Sequence, residues 1–186
     1  MVKIYTRKGD DGTTGLLYGG RVQKDGPSPT AYGAVDESQA FIGLARAHAD
    51  KDTDPGRELD EILIGLERDL WVLMADLATG ADGRHKLAPG QTLVTDQMVV
   101  ALESLIDGLG ERFELPKEFV VPGESVIAAH LDVARTVVRR AERDAIAVAA
   151  PDSQALAYLN RLSDLLWTLA RWQESLTGSS RPSRSI

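Results

Sequence analysis

From about residue 30 onward, apolar side chains recur three and four positions apart, the period of an amphipathic helix. The clearest run is Leu59, Ile62, Leu63, Leu66, Leu70, Leu73, Met74 and Leu77, a single stripe that follows the helix-starting pair Asp54-Pro55. The same period predicts helices over about Thr30–Asp50, from Asp54-Pro55 through Leu77, over Thr95–Phe113, from a Ser125 cap to about Ala149, and from an Asp152 or Ser153 cap to about Leu176. Pro151 enforces the break before the last of these. Between them, residues 79–93 read as a polar, glycine-rich loop, and Phe119-Val120-Val121 as a short extended piece. Strand signal is negligible elsewhere. These signs predict an all-α fold, a five-helix bundle in one domain spanning 1–186.

Two segments escape the helical period. Residues 1–29 carry Gly9, Gly12, Gly15, Gly19 and Gly20 and read as a long irregular loop; loops of this length are usually functional or disordered. Residues 177–186 are polar and are expected to form a mobile tail beyond the bundle at 30–176.

Composition narrows the chemistry. The chain has 186 residues, no cysteine, and 21 basic against 28 acidic residues, a formal charge of −7. Disulfides, thiolate metal sites and cysteine nucleophiles are excluded. The acidic balance argues against a nucleic-acid partner. No stretch is long and apolar enough to cross a membrane, and the first residues, MVKIYTRKGDDGTTG, lack the pattern of a signal or import leader, so a cytoplasmic location is expected. His48, His85 and His130 are scattered, which predicts no dedicated metal cage, although Mg²⁺ carried in by a nucleotide needs few protein ligands.

Three features suit a polyanion. The fourth helix holds Arg135, Arg139, Arg140 and Arg143; on a helical projection Arg139 and Arg143 lie ~40° and ~80° from Arg135, with Glu142 beside them, whereas Arg140 falls ~140° away. This stripe is either a solvated charged face or a clamp for phosphate or carboxylate oxygens, which a guanidinium fork binds bidentately. The fifth helix aligns Asn160, Asp164, Trp167 and Arg171 opposite its leucines, a polar line that serves either interhelix hydrogen bonds or a ligand. The N-terminal loop adds Arg7, Lys8, Arg21 and Lys24 to its glycines and threonines, a composition that can cradle phosphate although it matches neither the Walker pattern nor GxGxxG.

The chain resembles the PduO-type ATP:cob(I)alamin adenosyltransferases in five ordered pieces: YTRKGDDGTTGLLYGGRVQKD at 5–25, YGAVDESQAFIGLARA at 32–47, FVVPG at 119–123, ARTVVRRAER at 134–143 and YLNRLSDLLW at 158–167. The resemblance implies a homotrimer with active sites between subunits. The implied reaction moves the 5′-deoxyadenosyl group of ATP to the cobalt of a reduced corrinoid and releases triphosphate. It assigns ATP to Thr6, Arg7, Lys8, Gly9, Thr14, Lys24, Arg139, Arg140, Glu142, Arg143 and Asn160, with Arg139 as the catalytic guanidinium. Phe119 matches the aromatic that displaces the lower axial ligand of the corrinoid, Trp167 stands in its wall, and Asp36 and Arg135 match a carboxylate–arginine pair between subunits. A cobalamin reductase and an adenosylcobalamin-dependent enzyme are the implied partners. The chain departs from the family pattern at Glu124, at Asp132 and at Trp167. The alternatives are a non-catalytic nucleotide or corrinoid carrier on the same bundle, and a helical scaffold.

Overall fold

The computed structural model describes residues 4–178 and 182. Five long helices form: α1 (Pro27–Ala47), α2 (Asp54–Leu77), α3 (Asp96–Gly110), α4 (Val126–Ala145) and α5 (Ala155–Thr177). Three of them, α1, α2 and α4, start on a recognisable local signal. Proline stands in the first turn of α1 and of α2, where a missing N–H costs nothing. The hydroxyls of Thr53 and Ser125 accept from the backbone N–H groups of Gly56 and Ala128, each at 3.2 Å, and so cap α2 and α4. The N-cap of α5 is Gln154, without a side-chain cap, rather than the expected Asp152 or Ser153, although the Ser153 hydroxyl accepts from Ala155 N–H at 3.0 Å. Helix α5 stops at Gly178, whose φ of 65° is the left-handed closure that glycine adopts most readily.

α5 is the axis of the core. It packs on α4, α3 and α2, while α1 lies between α2 and α4. Leu159, Leu162, Leu165, Leu166 and Leu169 are fully buried, with Leu59, Leu63, Leu70 and Leu73 of α2 completing the interior. The expected leucine stripes of α2 and α5 are therefore the packed faces. No helix among the described residues is long and apolar enough to cross a membrane.

Several boundaries are corrected. α1 begins at Pro27 rather than Thr30, α3 ends at Gly110 rather than Phe113, and α4 ends at Ala145 rather than Ala149. The loop over 79–93 contains a 3₁₀ turn, Ala81–Lys86. Residues 1–29 are not irregular throughout: β1 (Thr13–Gly15) pairs antiparallel with β2 (Arg21–Gln23) in a two-stranded hairpin, Thr14 opposite Val22. Of the expected tail, Thr177 closes α5 and Pro182 forms an isolated bridge with Val120; residues 179–181 and 183–186 lie outside the described residues.

Candidate functional site

The hairpin folds because its side chains satisfy its own backbone. Asp11 Oδ1 accepts from both the backbone N–H (2.9 Å) and the hydroxyl (2.8 Å) of Thr13, a short local turn that feeds the chain into β1. The Thr13 N–H, then its hydroxyl, and more weakly Arg21, hold the Asp11 carboxyl below the usual carboxylate range. Across the register Arg21 sits opposite Gly15. Its guanidinium reaches back to donate to the Lys8 carbonyl at 2.6 Å and to the Thr13 hydroxyl, Nε at 2.9 Å.

The result is a concave cradle of about 500 Å³. Thr6, Arg7, Lys8, Gly9, Thr14 and Lys24, the six loop residues expected to hold ATP, all line it, together with Arg21. Gly9 sits in a tight place: a Cβ there would stand 3.0 Å from Lys24 Nζ and 3.2 Å from the Thr13 carbonyl, so its neighbours would have to give by a few tenths of an ångström. With four cations and three threonines in its lining, the cradle is chemically suited to phosphate oxygens.

The cradle is tied to the bundle at the end of α2. Leu17 N–H donates to the Ala78 carbonyl at 2.9 Å, and Leu17 bridges Thr79. Tyr18 rests against Gly83 of the 3₁₀ turn, where a Cβ would lie 3.2 Å from its own. Beneath that shelf, Asp76 is almost wholly buried, its side chain 1% exposed. Its Oδ1 accepts from Arg84 Nη1 at 2.9 Å; its Oδ2 accepts from Val94 N–H at 3.1 Å and from the Ser153 hydroxyl at 2.7 Å. Arg84 also donates to Asp152 at 2.8 Å. One carboxylate thus joins α2, the 3₁₀ turn, the strand-like loop before α3 and the start of α5.

A second cluster lies on α4 and α5. Arg139 and Arg143 are exposed, and Arg143 Nη1 donates to the Arg139 carbonyl at 2.9 Å. Asn160 Nδ2 donates to Glu142 Oε1 at 3.1 Å and Asn160 Oδ1 accepts from Arg161 Nη1 at 2.9 Å, so the amide is held in one orientation. Arg140 points away from this face, as the helical projection requires, and forms an ion pair with Glu37 of α1. Within one chain these residues do not line the cradle. Among the described residues no hydrogen bond or ion pair joins the N-terminal loop to Arg139, Glu142, Arg143 or Asn160.

The third cluster is a cavity of about 580 Å³ under the segment between α3 and α4. Phe119 lines it although the ring is 89% exposed overall, and Trp167, Asp132, Arg135 and Arg171 form the helix-side wall. Arg135 donates to Asp132 at 3.0 Å. Asp36 is an exposed residue of α1 and does not line this cavity. Sequence reasoning placed Phe119, Trp167 and Arg135 in the site; it named Arg21 among the loop cations and Arg171 on the polar line of the fifth helix without assigning either to a ligand, and both line the cavities. The signal for Arg21 was its place among the loop cations and glycines, and that for Arg171 its spacing four residues after Trp167. No group of three or more His, Asp or Glu side chains among the described residues is placed to hold a metal.

The sequence profile of the cobalamin adenosyltransferase family matches residues 4–173. A corrinoid adenosyltransferase of Citrobacter freundii is 39% identical over 178 residues, spanning 94% of this chain and 97% of that protein. One from Mycobacterium bovis is 41% identical over 176 residues, covering 92% and 88%. Among solved structures, a variant PduO-type ATP:corrinoid adenosyltransferase from Lactobacillus reuteri complexed with cobalamin and ATP superposes with a TM-score of 0.86 at 30% identity, covering 98% of this chain and 97% of that one.

Proposed function

The chain belongs to the cobalamin adenosyltransferase family, and we propose that its three clusters are the parts of one catalytic centre, the cradle and the α4–α5 face for ATP and the Phe119 cavity for the corrinoid. The protein is an enzyme that transfers the 5′-deoxyadenosyl group of ATP to the cobalt of a reduced corrinoid. The observation that carries the assignment of residues is that all six loop positions converge on one cationic cradle while a separate cavity presents Phe119 beside Trp167.

The chemistry asks little acid–base work of the protein. Co(I) attacks C5′, a cobalt–carbon bond forms, the C5′–O bond breaks and triphosphate leaves with the bonding electrons. Arg7, Lys8, Arg21 and Lys24 hold the polyphosphate. Arg139 faces the charge that grows on the leaving group, and a fixed guanidinium is worth most when that charge is largest. Glu142 and Asn160 lock each other and so hold the nucleotide face of α4 and α5 in one arrangement. Phe119 and its apolar neighbours supply a wall that offers cobalt no lower ligand. Mg²⁺ arrives with the nucleotide, since this ion needs few protein ligands.

The separation of the cradle from the α4 arginines within one chain supports a homotrimer in which the loop of one copy covers the helices of the next. In that arrangement Asp36 of one copy meets Arg135 of its neighbour. A cytoplasmic setting, a reductase that supplies Co(I) and an adenosylcobalamin-dependent enzyme that accepts the product complete the proposal. The test is a cobalt-absorbance assay with ATP, Mg²⁺, reductant and cob(II)alamin. Adenosylcobalamin and triphosphate should form in equal amounts. Binding of both substrates without product would establish the carrier, and no heat of ATP binding the scaffold.

A further inference from the structure

Glu174, Arg171 and Asp132 form an ion chain between α5 and α4, their side chains 0%, 2% and 6% exposed. Arg171 Nη2 donates to Glu174 Oε1 at 2.9 Å and to Asp132 Oδ2 at 2.7 Å. The second oxygen of Asp132, Oδ1, accepts from Nε of Arg135 at 3.0 Å. Arg135 is the outermost member of the chain, and Asp132, Arg135 and Arg171 share the cavity wall with Phe119 and Trp167.

A guanidinium held by its Nε has its plane fixed and keeps four N–H donors on Nη1 and Nη2. We propose that Asp132 is a positioning residue for corrinoid binding: it fixes the Arg135 guanidinium in the cavity wall so that Nη1 and Nη2 meet an acceptor oxygen of the incoming corrinoid, an amide carbonyl at the edge of the ring. The proposal rests on the reading of this cavity as the corrinoid site. The four donors suffice for that carbonyl and for the Asp36 of a neighbouring copy together. Fixing a long side chain before the ligand arrives removes an entropy loss that binding would otherwise carry. Arg171 does for Asp132 what Asp132 does for Arg135, and it is itself held by Glu174. Removing Asp132 therefore leaves Arg171 a carboxylate partner, and the variant strands no unpaired buried cation.

Asp132→Ala should raise KM for cob(I)alamin about 10-fold, the scale of one charge-assisted hydrogen bond, with KM for ATP and kcat within about 2-fold. Asp132→Asn keeps the volume and an acceptor oxygen and should raise the corrinoid KM by only about 3-fold; it decides the matter if the alanine variant does not fold by circular dichroism. In an Arg135→Ala background, Asp132→Ala should add nothing, because its effect passes through Arg135. An unchanged corrinoid KM, an equal rise in KM for ATP, or a full effect in the Arg135→Ala background would overturn the proposal. Failure of the unmutated enzyme to form adenosylcobalamin would instead overturn the functional reading beneath it.

Discussion

Asp76→Ala removes the acceptor on which four elements converge. Its side chain is 1% exposed and takes hydrogen bonds from Arg84, Val94 N–H and Ser153. The substitution leaves the Val94 N–H unpaired, frees the Ser153 hydroxyl and strips Arg84 of its buried partner, with only the more exposed Asp152 remaining. Breaking a buried pair by removing one member costs about 3–5 kcal/mol. For a chain of this size each kcal/mol lowers Tm by about 2–4 °C, so a fall of about 6–20 °C is expected. The shelf under Leu17 and Tyr18 loosens with it, so KM for ATP should rise more than KM for the corrinoid. Thermal melts by circular dichroism, paired with steady-state kinetics well below the new Tm, measure both. A Tm within about 2 °C of the parent would refute the reasoning, because it would mean that the network is not an energetic joint.

Three further outcomes are expected. Arg139→Ala should lower kcat/KM for ATP by about 10²–10³, the effect of losing one key electrostatic donor, and Arg139→Lys should recover little because it lacks the fork; near-normal kcat/KM in both would identify the arginine stripe as a solvated face. Phe119→Ala should leave Tm within about 2 °C, since the ring is 89% exposed, yet weaken corrinoid binding by about 10–100-fold through lost apolar contact, and an absorbance titration with unchanged affinity would remove Phe119 from the site. The Glu58 carboxyl lies below its ordinary range because Arg112 hydrogen-bonds it, so the pair stabilises the fold above the unfolded-state pKa of Glu58 and stops doing so as pH falls through the lowered value; unfolding free energies of the parent and Glu58→Gln from urea titrations should differ by less than about 1 kcal/mol at pH 7, the pair being partly exposed, and converge once pH has fallen below that lowered value, whereas a gap that persists at acid pH would sink the assignment.

The helices were legible because burial in this bundle follows the 3.6-residue period: every leucine of the α5 stripe is fully buried, and Ser125 caps where its hydroxyl can reach Ala128. The hairpin was not legible. Its strands are three residues each, TTG and RVQ, too short to show alternation, and they are held by Asp11 and Arg21 rather than by an apolar face. The loop members of the candidate site were readable as a set because glycines, hydroxyls and cations cluster in sequence; their convergence on one cradle depends on a cross-strand register that composition does not encode. Asp76 left a faint trace, a carboxylate three residues after Leu73 on the buried stripe of α2. Its partners at 84, 94 and 153 are brought to it only by tertiary packing.

The buried ion chain behind the cavity wall has a meaning for engineering. A buried set of charges such as Glu174, Arg171 and Asp132 is often outperformed, in heat resistance alone, by apolar side chains of equal volume. A screen for thermal tolerance that changes one residue at a time is expected to reject leucine or methionine at these three positions, because each single exchange leaves a buried charge short of a partner. Only the exchange of all three together would remove the charges without stranding a partner, and it would also strip the cavity wall of Asp132 and Arg171, so a library built for hotter working conditions is best constructed with 132, 171 and 174 held constant.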